Sequence, residues 1–366
     1  MIESLIEFFS FADANVRYVV FGMVLLGISA GMVGSFTLLR KRALVGDAIA
    51  HSVLPGVCLA FMFWGTKNPL VLLIGAVSTG WLSLIAIDFI TKHSRIKADA
   101  AIGLVLSVFF GVGILLLTSI QQSGNAAQSG LDKFLFGNAA SLIGSDMYVF
   151  AAMSILLIIV IIAFFKEFTL VSFDIEFANA VGLPVRGLEI ALSSITVLAV
   201  AVGIQAVGVV LMAALLITPA AAARFWTDKL PVMVVLAAVF GAISGVVGAF
   251  VSYLAPSMPT GPWVVVVLSL IAIFSLLFAP RKGYFARLWS KKQYRLKILE
   301  ENVLKIFYHL GEKDNNFEAK RTLANLQKKR AIPTAEMQKG LQRLIKKSWI
   351  LAVDKDKFQL TKIGKT

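Results

Sequence analysis

The sequence predicts an all-α polytopic membrane protein that ends in a small polar domain of mixed helix and strand. Three observations predict it. Hydrophobic residues make up 58% of the 366 residues and charged residues only 15%, too apolar for a soluble chain of this size. Apolar runs of about 20 residues, the length that crosses a bilayer, recur throughout residues 18–280. The formal net charge of +14 falls entirely in residues 281–366, which hold 22 Lys and Arg against 8 Asp and Glu. The chain therefore divides into a transmembrane domain over 1–280, a basic juxtamembrane linker over 281–293 and a polar domain over 294–366.

The apolar runs lie at 18–39, 44–64, 70–90, 100–120, 146–165, 188–203, 206–226, 232–254 and 263–280, which gives about nine spans. Arg40 to Arg42, Lys92 to Lys97, Lys166 with Arg186, Arg224 with Lys229, and Arg281 with Lys282 follow alternate runs. Lys and Arg collect in cytoplasmic loops, so the N-terminus is expected outside and the C-terminus in the cytoplasm. Residues 188–226 are nearly continuous; Gly203 and Gly208 are the places to break them, and eight spans plus a re-entrant segment is the alternative. Gly27 with Gly31, and Gly241 with Gly245 and Gly248, carry the spacing that lets membrane helices approach closely. No basic n-region or small-residue cleavage site precedes the first run, so a cleaved signal peptide is not expected.

The chemistry centres on Arg40 to Gly56, RKRALVGDAIAHSVLPG. Asp47 and His51 are four apart and so project from one helix face. Ionisable groups inside a span are costly and tend to line a pathway. The pair suits a cation such as Zn²⁺, Mn²⁺ or Fe²⁺ better than Na⁺ or Ca²⁺, and it leaves coordination positions open. An interhelical polar clamp without an ion has the same spacing. Cys58, at i+7 from His51, is a minor sulfur candidate whose ordinary role is packing. As the sole cysteine it excludes an intramolecular disulfide.

The chain has no Gly-x-x-x-x-Gly-Lys-Ser/Thr phosphate loop, no His-Glu-x-x-His pair and no nucleophile with a histidine base. It is not expected to be an enzyme or to hold a permanent cofactor. ATP can drive it only through a partner subunit, and otherwise a gradient-driven secondary transporter is the rival.

Glu167 to Gly187 interrupts the apolar pattern. Phe173, Phe177 and Val181 fall on one face of a short amphipathic helix, with Asp174 and Glu176 on the other side; Gly182 closes it and Pro184 stops it. Its carboxylates favour docking to a soluble partner over burial in lipid. Residues 281–293 are basic and attract anionic membrane lipid. Beyond them, helical patterns over Arg295–Leu310, Thr322–Lys329 and from Thr334 precede a hairpin, Trp349–Val353 and Lys357–Thr361. Three helices and a hairpin make a winged-helix-like pattern. Its third helix carries Lys339, Arg343, Lys346 and Lys347, as a DNA-reading helix would. A membrane-tethered transcription regulator is thus a second rival, but a tethered domain has restricted access to a chromosome and nucleic acid is not the expected partner.

These residues resemble a specific family. Gly46-Asp47-Ala48, His51 and Leu54-Pro55-Gly56 look like the metal permeases of bacterial ABC importers for manganese, zinc and iron. The likeness continues at Leu135-Phe136-Gly137, Leu142 and Gly144, at Ser172-Phe173-Asp174, Phe177-Ala178 and Val181-Gly182-Leu183-Pro184, through Gly203–Ala223, and at Pro259-Thr260-Gly261-Pro262. The resemblance implies a multi-pass subunit of the bacterial inner membrane, in a homo- or heterodimer of permeases. Its partners would be an ABC ATPase subunit and an extracytoplasmic metal-binding protein. It assigns metal in the path to Asp47 and His51, and ATPase coupling to the segment with Phe173, Asp174, Glu176, Phe177, Ala178, Gly182 and Pro184. The tail departs from the many members that end after the last span.

Overall fold

A computed structural model describes residues 2–40, 42–66, 68–122, 144–254, 259–280, 282–330, 332–354 and 356–365. It divides into two compact units, Met1–Gly283 and Tyr284–Thr366.

In the first unit each apolar run becomes a helix. The order is α1 (Ile2–Ser10), α2 (Ala14–Leu39), α3 (Ala43–Trp64), α4 (Pro69–His93), α5 (Ala98–Gln122), α6 (Gly144–Ala163), α7 (Phe165–Phe173), α8 (Ile175–Ala180), α9 (Val185–Val207), α10 (Val209–Trp226), α11 (Leu230–Leu254) and α12 (Thr260–Phe278). Local chemistry sets several ends. The Asp13 carboxylate accepts from the Asn15 N–H at 2.8 Å to open α2, and Asn68 accepts from the Leu70 N–H at 3.0 Å to open α4 just before Pro69. Gly65, at φ +63°, ends α3.

The apolar stretch 188–226 breaks at Gly208, whose φ of +93° is open to glycine alone without strain; Gly203 stays inside α9. Among the described residues, seven helices are long and apolar enough to cross a bilayer, or eight if α6 and α7, bent by 69°, form one span. The sequence expectation of about nine spans therefore exceeds what helix length alone supports. The difference is α10, apolar but short.

The small-residue spacings are packing contacts within this unit. A Cβ on Gly27 would lie 2.4 Å from the Gly241 carbonyl oxygen, and one on Gly31 2.5 Å from that of Ala237. Backbone meets backbone there, so α2 and α11 form a close-packed pair. The α3–α4 crossing has the same origin, with a Cβ on Gly56 falling 2.0 Å from the Gly75 carbonyl oxygen.

The second unit contains α13 (Tyr284–Asp314), β1 (Arg321–Thr322), α14 (Leu323–Lys329), α15 (Thr334–Lys346), β2 (Ile350–Asp354), β3 (Lys357–Leu360) and α16 (Lys362–Lys365). The hairpin and the two later helices fall where sequence periodicity puts them, but the first helix begins at Tyr284 rather than Arg295, so residues 284–293, expected as a linker, form the first turns of α13. β1 is too short to announce itself, yet it completes an antiparallel sheet of order β1-β3-β2. Val303, Ile306, Phe307, Leu326, Met337 and Leu341 form the centre of its core. Glu300 is only 3% exposed and accepts from Arg343 Nε and Lys347 Nζ. Two of the four cations singled out on the third helix are thus committed to an internal carboxylate, while Lys339 and Lys346 remain exposed.

Candidate functional site

α3 carries the candidate ligands and packs chiefly against α4, α5 and α10, with α9 and α2 also in contact. Its backbone lies tight against its neighbours: a Cβ on Gly46 would meet Leu216 Cδ2 at 2.6 Å. From Val45 to Cys58 every residue is buried except two, and those two are Asp47 and His51. Their side chains are 41% and 20% exposed, and Asp47 Oδ1 lies 3.6 Å from His51 Nε2. That gap is long for a hydrogen bond. Two ligands each about 2.0–2.2 Å from one transition-metal ion stand about 3–3.5 Å apart, so a small inward movement would let both reach a shared cation.

His51 is oriented by packing. Its ring meets Phe110 of α5 edge to face, with centroids 5.0 Å apart and planes at 86°. Its Nδ1 is buried with no hydrogen-bond partner, whereas a ligating imidazole usually donates from its second nitrogen to an acceptor. Pro55 has no N–H, so the His51 carbonyl lacks its donor one turn on. Cys58 is fully buried, and its thiol approaches the Gly113 carbonyl of α5 at 3.8 Å. Among the described residues no group of three or more His, Cys, Asp and Glu side chains is placed to hold a metal ion, so Asp47 and His51 stand as a pair.

The basic cluster before α3 is anchored separately. Arg40 Nη2 bonds Glu189 Oε1 of α9 at 2.8 Å, with the guanidinium only 12% exposed. Sequence reasoning passed over both Glu189 and Phe110. Neither has a local signal, because each acquires its role only when helices distant in sequence meet.

The Phe173–Pro184 segment differs from the single amphipathic helix that its spacing suggests. α7 ends at Phe173, and Asp174 takes up extended backbone at φ −148°. Its carboxylate then accepts from the Phe177 N–H at 2.9 Å and starts α8 as a second helix. An Asp with a free partner three residues on favours such a cap over a helix interior. The outcome still presents apolar surface. Phe173, Ile175, Phe177 and Val181 are all exposed, beside the exposed Glu176, while Ala178 is fully buried and fixes α8 to the unit. Gly182 reverses the chain at φ +86°, with the Leu183 N–H donating to the Ala178 carbonyl at 3.1 Å, and Pro184 leads into α9. The Leu135-Phe136-Gly137 and Leu142 positions lie outside the described residues.

Residues 12–279 match the ABC 3 transport family. The chain belongs to the ABC 3 transport family. Its relatives include the manganese transport system membrane protein MntC of Bacillus subtilis, 45% identical over 350 residues that span 96% of this chain and 80% of that protein. An alignment of that length runs beyond the membrane unit into the C-terminal one. The zinc transport system membrane protein TroC of Treponema pallidum is 42% identical over 291 residues, 80% of this chain and 97% of its own. The solved structure described as PsaBC from Streptococcus pneumoniae in complex with Fab is 33% identical with a TM-score of 0.69, covering 78% of this chain and 98% of that one. As an ABC 3 member, the chain is a multi-pass membrane transport subunit of the metal-permease type and not an enzyme.

Proposed function

We propose that this chain is the membrane-spanning subunit of an ATP-driven importer of divalent transition metal ions, with Asp47 and His51 as a transient ion site used in alternating access. The observation that carries the reading is the burial pattern of α3, in which the only two accessible side chains between Val45 and Cys58 are the two ionisable ones. A polar clamp between helices would turn them inward to partners on other helices; here they lie beside one another and both stay partly exposed. Manganese is the favoured cargo on the similarity to a Bacillus subtilis protein named for manganese transport, with zinc and iron as competitors. Carboxylate with imidazole accepts all three. Two ligands from this chain bind the ion moderately, as release requires, and a second permease copy or close relative supplies the others. Cys58 packs against α5 and takes no part.

ATP acts through a partner ATPase that docks on the exposed apolar surface of α7 and α8, and an extracytoplasmic binding protein delivers the ion. The N-terminus lies outside and the C-terminal unit, of winged-helix type, in the cytoplasm of a bacterial inner membrane. This follows from the Lys and Arg distribution, with α10 as a short ninth crossing shielded by its neighbours. Metal accumulation in cells tests the reading. Asp47→Ala and His51→Ala each abolish uptake while the subunit still assembles with its ATPase; normal uptake in both variants removes the ion site.

A further inference from the structure

The first half of α13 presents an apolar face that the core of its own unit does not use. Along this helix one stripe recurs at three- and four-residue spacing, interrupted once at Lys292 and Gln293: Phe285, Leu288 and Trp289, then Leu296 and Leu299, then Val303, Ile306, Phe307 and Leu310. From Leu299 onward the stripe is covered. Gly340 of α15 approaches so closely that a Cβ there would meet Val303 Cγ2 at 3.0 Å, and Val303, Ile306 and Phe307 lie in the core. In the first turns the same stripe opens outward, with Leu288 48% and Trp289 71% exposed.

The charges around this open half have one sign. Arg287, Lys291, Lys292, Arg295 and Lys297 lie within it, and no Asp or Glu occurs between Ala279 and Leu299. Further on, the polar surface of α13 carries Glu301, Glu312 and Asp314 among its basic residues. The change from single-sign to mixed charge coincides with the change from open to covered apolar stripe. Covalent continuity limits where the open half lies. α12, an apolar helix of membrane-crossing length, ends at Phe278. The chain from there to Gly283 is tied to the membrane unit by the Gly283 N–H to the Ala279 carbonyl at 2.9 Å and by an ion pair between Lys282 and Asp228. α13 begins at the next residue.

We propose that residues 284–297 form an interfacial helix that lays Phe285, Leu288 and Trp289 into the surface of an anionic bilayer, with the flanking Arg and Lys on lipid phosphate groups. An aromatic and leucine face beside a purely basic one matches such a surface, and a groove on a protein partner would have to be strongly acidic to match it equally. Because α13 is one helix, the same element is lipid anchor at one end and core helix at the other. This inference stands apart from the metal proposal and needs only that α12 is embedded.

The test uses the full chain in lipid nanodiscs with a nitroxide label at Trp289→Cys, and separately at Tyr294→Cys on the far side of the helix, each in a Cys58→Ser background. Collisions with oxygen and with a water-soluble nickel complex report depth. In discs rich in phosphatidylglycerol, the oxygen-to-nickel ratio at 289 is expected to be several-fold that at 294, and to fall toward it in phosphatidylcholine discs. Replacing Lys291, Lys292 and Arg295 with Gln should bring the anionic-disc value down as well, without disturbing the core that begins at Leu299. Free nickel access at 289 in both lipids would overturn the proposal in favour of a solvated helix. Shielding from both reagents in both lipids would overturn it in favour of a protein cover, and equal depth in both would remove the role of lipid charge.

Discussion

Arg40 and Glu189 join the end of α2 to α9 through a 2.8 Å ion pair whose guanidinium side is 12% exposed. The arginine sits three residues before α3 begins, so this bond fixes the base of the helix that carries Asp47 and His51. Glu189→Gln leaves the guanidinium half-satisfied in a mostly buried position. The loss is expected to be about 1–3 kcal/mol. It stays under the value for a fully buried pair because Glu189 is 38% exposed. A lowered thermal midpoint of the purified complex, with metal affinity retained, checks it; an unchanged midpoint would show that solvent screens the pair.

The α2–α11 contact allows no side chain at Gly27. Gly27→Leu would place its Cβ within 2.4 Å of the Gly241 carbonyl oxygen, which is backbone and cannot move aside. Destabilisation of about 3 kcal/mol or more is expected, together with loss of folded protein from membranes. The same change at Gly103, where a Cβ meets nothing within 4 Å, should leave folding intact. Detergent-solubilised yield and thermal midpoint compare the two directly.

The start of α8 depends on one hydrogen bond. Asp174→Ala removes the acceptor for the Phe177 N–H and should weaken the helix end by about 1 kcal/mol, whereas Asp174→Asn keeps a cap. If α7 and α8 form the coupling surface, Asp174→Ala lowers ATP-driven uptake and Asp174→Asn restores most of it. Phe177→Ala, which removes exposed apolar surface and no core contact, should cut the affinity for the ATPase subunit by roughly tenfold, in line with an interface anchor. Pull-down of the ATPase and uptake measured on the same cells separate the two effects.

Acid should loosen the C-terminal unit through Glu300. Burial alone would raise its pKa, but hydrogen bonds and charge from Lys347 and Arg343 outweigh that and hold the carboxyl below the ordinary glutamate range. A carboxyl whose folded pKa is depressed contributes stability that is fully present above its unfolded value and is lost as pH falls through the folded one. Protease resistance of the unit in the full chain should therefore hold at neutral pH and decline below about pH 4.3, the unperturbed glutamate value. Glu300→Gln should be less resistant at neutral pH and show a flatter acid profile.

Much of the architecture was legible because its causes are local. Apolar runs of crossing length become helices, Thr334 follows a proline that cannot continue a preceding helix, and β2 and β3 pair as a hairpin. Gly208 was one of two residues able to interrupt 188–226, and its positive φ shows why it does so. What escaped was set by contacts across the chain. β1 is a strand only because β3 lies beside it, and Arg343 and Lys347 look like free cations until Glu300 is folded beneath them. At the site, the four-residue spacing of Asp47 and His51 was readable, but their standing as the only accessible residues of a buried stretch was not. The ring of Phe110 against His51 was equally invisible, since it comes from a helix some 60 positions further on.

The central claim is that Asp47 and His51 touch the travelling ion. Pulsed electron paramagnetic resonance of Mn²⁺ bound to the purified transporter, recorded in the presence and absence of the His51 imidazole, tests this most directly. The account predicts nitrogen modulation from a directly coordinated ring nitrogen, absent in His51→Ala, and a weaker bound signal in Asp47→Ala. Mn²⁺ held with no nitrogen coupling, or with the same coupling after His51→Ala, would contradict it.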